Sequence, residues 1–249
     1  MNKTRLVVFL ILGTLNGFAQ NIKTDSIQKR KNTKFKYEAL IIPTVLLGYG
    51  IVGLESHTLD FIDKNTREEI MENIDNKITV DDISQYTPFL TVYGLNAIGI
   101  KGKNNFKDRT LILGTAYLIM GGTVNILKTT GNVKRPDGST KNSFPSGHTA
   151  TAFMGAEFLY QEYKEVSIWY GITGYVVATG TGLFRLYNNR HWLTDVAAGA
   201  GIGILSTKIA YWIHPLIKKT IFKNKKKTNG IVMPFYDGKA LGLGLSMTF

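Results

Sequence analysis

Cysteine is absent from the 249 residues of this chain. Disulfide bonds, thiolate metal sites and a cysteine nucleophile are therefore excluded. Histidine is scarce, with four residues in all, so any imidazole chemistry must draw on a very small set. The apolar segments lack the alternation of apolar and polar residues that is typical of strands, and this indicates a mainly helical protein.

The length suits one ordinary domain with a sizeable core. The formal charge is +12, which favours an anionic partner such as nucleic acid or a membrane surface. Basic residues cluster beside apolar segments and are not interleaved with aromatic ones. We therefore expect membrane lipids as partners and no nucleic acid; the oligomeric state stays open.

Residues 1–19 have the composition of a secretory signal. Lys3 and Arg5 precede the apolar run Leu6–Leu12, and Gly17 and Ala19 are small residues at the positions that a signal peptidase reads. We expect either a cleaved signal peptide or an uncleaved N-terminal anchor. Residues 20–37 are polar and basic, and we interpret them as a linker.

Six apolar runs of helical length follow, and we assign residues 38–217 to one helical domain. The predicted fold is all-α, a membrane-embedded bundle of the six-helix type. Several runs are shorter than the roughly 20 apolar residues that a spanning helix needs. The runs are residues 39–54, 88–100, 111–127, 149–160, 166–184 and 193–213.

The charge of the connecting segments alternates along the chain. Residues 29–36, 101–109 and 218–227 are basic, whereas residues 55–82 are acidic. Because basic segments tend to stay in the cytoplasm, six spans would place the remaining loops on the periplasmic side. A cleaved signal followed by six spans would reverse this orientation, so one of these two predictions must yield.

Residues 218–249 differ from the rest of the chain. A basic segment leads to Asp237-Gly238, a dipeptide typical of hairpin turns. Leucines then alternate with small or polar residues from Leu241 to Leu245. We predict a small C-terminal β-hairpin.

Three short blocks between residues 128 and 195 contain the residues suited to chemistry. Together they supply three permanent cations, two imidazoles and one carboxylate, a set suited to holding and cleaving a phosphate. The blocks are Lys128-x6-Arg135-Pro136, Pro145-Ser146-Gly147-His148 and Arg185-x5-His191-x3-Asp195.

The second block reads as a turn that leads into a helix, with Ser146 as its N-cap. Backbone amides of Ser146, Gly147 and His148 would then point at an anion beside the helix N-terminus. Gly147 would let the backbone approach a phosphate closely. His148 would be placed to protonate a leaving alkoxide and later to deprotonate water.

In the third block, His191 and Asp195 are four residues apart, so they share one face if a helix begins there. Asp195 would accept the Nδ1 proton of His191, which leaves Nε2 as the nucleophile. Lys128, Arg135 and Arg185 would neutralise the phosphate. We therefore predict a metal-independent phosphatase that forms a phosphohistidine and needs no cofactor.

The order and spacing of these blocks resemble the type 2 phosphatidic acid phosphatase (PAP2) superfamily. The resemblance implies a helical bundle with His191 as the phosphorylated residue, His148 as general acid and Asp195 as the group that orients His191. It implies phosphate binding by a further set, namely Lys128, Arg135, Ser146, Gly147 and Arg185. Phe184 departs from the pattern, since the family usually has serine there.

The resemblance is strongest to bacterial membrane lipid phosphatases. It implies an enzyme of the cell envelope whose site faces the periplasm. The implied substrate is a phosphorylated lipid such as lipid A, undecaprenyl diphosphate, phosphatidate or phosphatidylglycerophosphate. Three alternatives stay open at this point: a soluble periplasmic acid phosphatase of broad specificity, a haloperoxidase, and a lipid-binding protein without catalysis.

Overall fold

The fold was analysed in a computed structural model that describes residues 37–72, 79–221, 229–236 and 241–248. Within residues 37–221 of this set, a 3-10 turn at Tyr37–Leu40 leads into eight α-helices. In chain order these are α1 (Ile41–Gly53), α2 (His57–Met71), α3 (Val80–Ser84), α4 (Thr87–Ala97), α5 (Phe106–Gly131), α6 (Gly147–Tyr163), α7 (Ile168–Tyr187) and α8 (Leu193–Ile221).

The predicted helical character of the domain is confirmed. Each of the six apolar runs forms one helix, namely α1 and α4 to α8. The two additional helices, α2 and α3, come from the acidic segment of residues 55–82, which the prediction did not count as helical. The predicted signal or anchor of residues 1–19 and nearly all of the linker lie outside the described residues.

Helix α6 is the centre of the bundle, and it packs against α4, α5, α7 and α8. Its buried residues include Ala150, Met154 and Phe158, each with 0% of its surface exposed. Ser146 caps the helix as predicted, because its side chain accepts a hydrogen bond from the backbone N–H of Thr149. The chemistry-bearing block that precedes α6 is thereby fixed to the core.

Two glycines of α8 allow it to lie directly against α6. A Cβ atom on Gly199 would be 2.5 Å from the carbonyl oxygen of Ser146, and one on Gly203 would be 2.3 Å from that of Ala150. Both distances are far below van der Waals contact, so no side chain fits at either position. The two helices therefore meet backbone to backbone.

Two described helices are long and apolar enough to cross a membrane, Phe106–Gly131 and Leu193–Thr220. A third span is counted if Tyr37–Gly53 and His57–Met71, which meet at a bend of 95°, are taken as one broken span. Large apolar side chains cover the outer surface, for example Leu118 with 78% and Val176 with 65% exposed. This surface is suited to contact with lipid.

Two strands follow the helices, β1 (Asn229–Tyr236) and β2 (Leu241–Thr248). They pair antiparallel, with Asn229 opposite Thr248 and Tyr236 opposite Leu241. This is the segment in which the sequence predicted a hairpin. The turn dipeptide Asp237-Gly238 and most of the basic segment lie outside the described residues.

Candidate active site

A pocket of about 490 Å³ opens at one end of the helix bundle. Its walls come from α3, the C-terminal ends of α5 and α7, the N-terminus of α6 and the residues just before α8. All three sequence blocks contribute to it. The charged and imidazole residues that line it are Asp81, Asp82, Lys128, Arg135, His148, Arg185, Arg190 and His191.

His191 lies two residues before the first residue of α8, whereas the sequence predicted that the helix begins at His191. Its surface is only 3% exposed. This position still brings its ring to Asp195, with 3.5 Å between His191 Nδ1 and Asp195 Oδ2. The carboxylate therefore faces Nδ1, which leaves Nε2 as the ring nitrogen available for other chemistry.

Ser143 joins this pair, a contact that the sequence did not predict. Its hydroxyl donates to Asp195 Oδ2 at 2.5 Å and lies 3.4 Å from His191 Nδ1. The backbone N–H of Trp192 donates to the same oxygen at 2.9 Å. Two donors from separate segments thus fix the orientation of the Asp195 carboxylate beside the imidazole ring.

The protonation of His191 is set mainly by its burial. Burial lowers the pKa of His191 to about 4, and the positive charges of Arg185 and Lys128 act in the same direction. Asp195 opposes the decrease through its hydrogen bond and its charge. The folded-state pKa lies below the usual value, so the ring is neutral at any pH well above 4 and carries a free electron pair.

His148 is the second residue of α6, and it faces the short helix α3. Its Nε2 is 2.9 Å from Asp82 Oδ1. Burial and the charge of Arg185 lower the pKa of His148, whereas the hydrogen bond and charge of Asp82 and the charge of Asp81 raise it. The two imidazoles of the pocket therefore each have a carboxylate partner, from α8 and from α3 respectively.

Arg185 is held by a buried ion pair that links α7 to α3. Its guanidinium donates to Asp81 Oδ2, and Asp81 Oδ1 accepts a second hydrogen bond from Asn188 Nδ2 at 3.0 Å. Arg185 is 7% and Asp81 only 1% exposed. The pair fixes the cation at the pocket wall, because both charges are shielded from solvent and depend on each other.

Asn142 positions the other two cations of the sequence blocks. Its backbone carbonyl accepts a hydrogen bond from Lys128 Nζ at 2.7 Å, and its side-chain oxygen accepts one from Arg135 Nε at 3.0 Å. Lys128 comes from the end of α5 and Arg135 from the loop that follows. The loop thereby brings both cations to one side of the pocket.

Ser146 is the predicted phosphate-binding residue whose placement differs from the expectation. Its surface is 0% exposed, its hydroxyl caps α6, and its backbone N–H donates to the carbonyl oxygen of Asp195 at 3.0 Å. Both polar groups therefore serve the protein itself. Gly147 and His148 do line the pocket, and their amides belong to the first helical turn, where no carbonyl of the helix can accept them.

The contacts of Phe184 and Asp137 show what these two residues do in the structure. Phe184, at the position where the family pattern has serine, packs edge to face on Tyr187 with ring centroids 6.1 Å apart. Asp137 accepts the Ser139 backbone N–H at 2.9 Å, which closes a turn. It also accepts a hydrogen bond from Arg190 at 2.8 Å, so the turn holds a fourth cation at the pocket.

Sequence reasoning missed several residues of the site. Most of them have partners at least 52 positions away in the chain, whereas Asn142 contacts Arg135 only seven positions away, in a loop without recognisable spacing. The only signal for Asp81 and Asp82 is that two adjacent carboxylates end the acidic segment. The missed residues are Asp81, Asp82, Asn142, Ser143, Asn188 and Arg190.

One group of side chains among the described residues has the spacing of metal ligands. Ligand atoms of Asp81, Asp82 and His148 all lie within 4.8 Å of one another. Asp81 is already committed to Arg185, and Asp82 contacts His148 itself. The donor set thus serves the cation and the imidazole of the pocket, and it does not fit a site prepared for a metal ion.

Comparison with known proteins finds a family match that contains the three sequence blocks but not Asp81 and Asp82. Residues 109–219 match the PAP2 superfamily. The lipid A 1-phosphatase of Porphyromonas gingivalis is 44% identical over 141 residues, which are 55% of this chain and 31% of that protein. The bacitracin transport permease protein BcrC of Bacillus licheniformis is 35% identical over 74 residues, 30% of this chain and 34% of the relative.

The alignments thus span about a third of the length of these curated relatives. Two solved structures are also similar. A transmembrane PAP2-type phosphatidylglycerolphosphate phosphatase from Bacillus subtilis has a TM-score of 0.49 at 21% identity, covering 72% of this chain and 98% of the other. Aquifex aeolicus LpxE has a TM-score of 0.41 at 22% identity, covering 69% and 94%.

The geometry predicts that Arg135 contributes to the binding of an anion. Replacement by glutamine (Arg135→Gln) should weaken the affinity for inorganic phosphate by about tenfold or more, because a charge-assisted hydrogen bond is lost. Isothermal titration calorimetry of the purified protein measures this. Lys101→Gln is the control, since Lys101 is exposed and lies before α5 at the opposite end of the bundle. Equal affinities of the two variants would contradict the assignment.

Proposed function

We propose that this chain, whose residues 109–219 belong to the PAP2 superfamily, is a phosphatase that hydrolyses a phosphate ester of an envelope lipid through a phosphohistidine. One observation carries the proposal. His191 and His148, each with a carboxylate partner, line the same pocket as the three cations of the sequence blocks, Lys128, Arg135 and Arg185. This set can bind a phosphate, attack it and protonate the leaving group.

Binding depends on the cations of the pocket. A phosphate monoester carries about two negative charges, and charge on its equatorial oxygens must be stabilised in the transition state. Lys128, Arg135 and Arg185 provide fixed positive charge, and the arginines can donate two hydrogen bonds each in a planar arrangement. Amides of the first turn of α6 add donors at a helix N-terminus. We therefore propose that the reaction does not depend on a metal ion.

In the first chemical step, His191 Nε2 attacks phosphorus in line with the ester oxygen. A P–N bond forms while the P–O bond to the lipid breaks, and the leaving alkoxide takes a proton from His148. The Asp195 carboxylate stabilises the positive charge that develops on the phosphorylated ring. The low pKa of His191 favours this step, because the attacking ring must be neutral.

In the second step, water attacks the phosphorus atom of the phosphohistidine. His148, now neutral, takes a proton from that water molecule, and the P–N bond breaks. Inorganic phosphate leaves, and both imidazoles return to their starting protonation states. A general acid that becomes a general base in the second half of a reaction is common in two-step hydrolysis.

The proposed substrate class is a lipid phosphate of the lipid A, undecaprenyl diphosphate, phosphatidate or phosphatidylglycerophosphate type. Support comes from the broad apolar outer surface and from two helices long and apolar enough to span a bilayer. The relative from Porphyromonas gingivalis bears the name of a lipid A phosphatase. A site at the end of such helices lies at the depth of lipid head groups.

We propose that the pocket faces the periplasm. Lysines 101, 103 and 107 lie at or before the start of α5, and Lys218 and Lys219 lie near the end of α8. Both positions are at the bundle end opposite the pocket. Because basic residues next to spans favour the cytoplasm, the pocket belongs on the other side.

The phosphohistidine is tested by replacement of His191 with alanine. We expect His191→Ala to lower kcat by at least about 10⁴-fold, because the covalent route is lost. Brief reaction of the wild type with ³²P-labelled substrate should leave a base-stable, acid-labile label on the protein. His57→Ala is the control, since His57 is exposed at the start of α2. Full activity or labelling of His191→Ala would refute the mechanism.

Charge neutralisation by side chains predicts that activity persists in excess EDTA. It also predicts inhibition by vanadate, which adopts the trigonal-bipyramidal geometry of the transferring phosphoryl group. The measurement is phosphate release from the best lipid substrate, with and without each compound. Loss of activity on chelation, restored by one added metal ion, would show instead that a metal takes part.

The substrate class is tested with a panel of lipids in detergent micelles. We expect kcat/KM for at least one lipid to exceed that for p-nitrophenyl phosphate by about 100-fold or more, since remote binding energy contributes to catalysis. Among the described helices two, or up to three, candidate spans are found where six were expected, and the same panel tests one alternative, a soluble periplasmic acid phosphatase. Extraction without detergent and preference for the small ester would support that alternative.

A further inference from the structure

Helix α3 brings a second carboxylate, Asp82, to the pocket. Asp82 Oδ1 lies 2.9 Å from His148 Nε2 and 4.0 Å from the guanidinium of Arg185. The two residues of the Asp82–His148 pair are 66 positions apart in the chain. None of the three sequence blocks contains Asp82, and the steps described above do not use it.

The position of Asp82 is fixed by contacts on both sides of it. Asp81 is buried in its ion pair with Arg185. Ser84 Oγ lies 2.8 Å from Thr181 Oγ1 of α7, and the side chain of Gln85 donates to the backbone carbonyl of Asp82 at 2.9 Å. Helix α3 is therefore docked on α7, and the contact between Asp82 and His148 is a consequence of this docking.

Two features of the site act against a proton on His148. Burial lowers the pKa of the ring, and the positive charge of Arg185 from α7 acts in the same direction. Both favour the neutral ring, yet the first chemical step needs a proton on His148. A compensating carboxylate is therefore required close to this ring.

The carboxylates available for that role differ in their other contacts. Asp81 is engaged by Arg185 and Asn188, and Asp195 of α8 faces His191 together with Ser143. Asp82 lies 4.0 Å from Arg185, beyond hydrogen-bond distance, whereas it contacts the His148 ring directly at 2.9 Å. It is the carboxylate whose geometry matches the need.

We propose that Asp82 is a positioning residue of the reaction, which orients the His148 ring and keeps the transferable proton on it. The proposal rests on the phosphatase function proposed above. With Nε2–H donating to Asp82, Nδ1 is the nitrogen that gives its proton to the leaving alkoxide and recovers one from water. The pocket then contains two matched pairs, Asp195–His191 for attack and Asp82–His148 for proton transfer.

The test is Asp82→Asn, which keeps the shape of the side chain and removes its charge. NMR titration of the His148 ring in detergent micelles should show a pKa lower by about one unit than in the wild type. The basic limb of the pH profile of kcat/KM should move to lower pH by a similar amount. At pH 7 kcat should fall about tenfold, with a smaller change in KM. Asp82→Glu should restore part of the rate.

A control variant and a double variant test whether Asp82 acts through the His148 ring. Asp60→Asn removes an exposed aspartate of α2 that pairs with Lys64, and it should leave both titrations unchanged. In a His148→Ala background, Asp82→Asn should have no further effect on kcat, because the residue acts through the ring. Asp82 has a 58% exposed side chain, so its replacement by asparagine should not impair folding.

Several results would overturn the proposal. An unchanged titration of His148, or an equal loss of kcat with and without His148, would exclude a role through the ring. Tighter binding of inorganic phosphate by Asp82→Asn at unchanged kcat would show that Asp82 competes with the substrate. If the wild type released no phosphate from any substrate, the proposed function would fail, while the NMR titration would still decide whether Asp82 controls the proton of His148.

Discussion

Mutual repulsion among cations is the constraint on which the arrangement of this pocket depends. Four side chains with permanent positive charge line one pocket of about 490 Å³. Such a cluster is stable only if nearby groups compensate part of the charge. Asp81 pairs with Arg185, Asp137 pairs with Arg190, and a backbone carbonyl accepts from Lys128. The remaining positive charge is what an anionic substrate can neutralise.

Acidic side chains also connect helices α2 and α3 to the residues of the site. Asp63 of α2 accepts hydrogen bonds from the backbone N–H and the hydroxyl of Thr194, at 3.1 and 2.6 Å. It thereby caps the helix that begins just after His191. Helix α3 contributes Asp81, which pairs with Arg185, and Asp82, which contacts His148. The acidic segment of residues 55–82 therefore completes a site whose other residues come from the three sequence blocks.

Sequence reasoning could identify the residues of the three blocks because their spacing is local and their chemistry is complementary. It also placed Ser146 as the cap of α6, since a cap depends on neighbours within three residues. It could not identify Asp81, whose partner Arg185 is 104 positions away. Such contacts depend on how α3 docks on α7, and no periodicity in the chain encodes this.

The sequence predicted more membrane spans than the described helices show. Six apolar runs were found and six helices formed from them, yet only α5 and α8 of the described helices reach spanning length and hydropathy. Burial accounts for part of the difference, because the apolar residues of α6 serve the core. An apolar run alone does not separate a helix that faces lipid from one that faces protein.

The glycine contact between α8 and α6 has a consequence for how the pocket of this chain could change in evolution. Gly199 lies against the carbonyl of Ser146, and the amide of Ser146 donates to the carbonyl of Asp195. Contacts between main-chain atoms therefore set the distance between the segments that carry the His148 and His191 rings. Loop side chains around the opening can therefore be exchanged while the distance between the two imidazole rings stays constant.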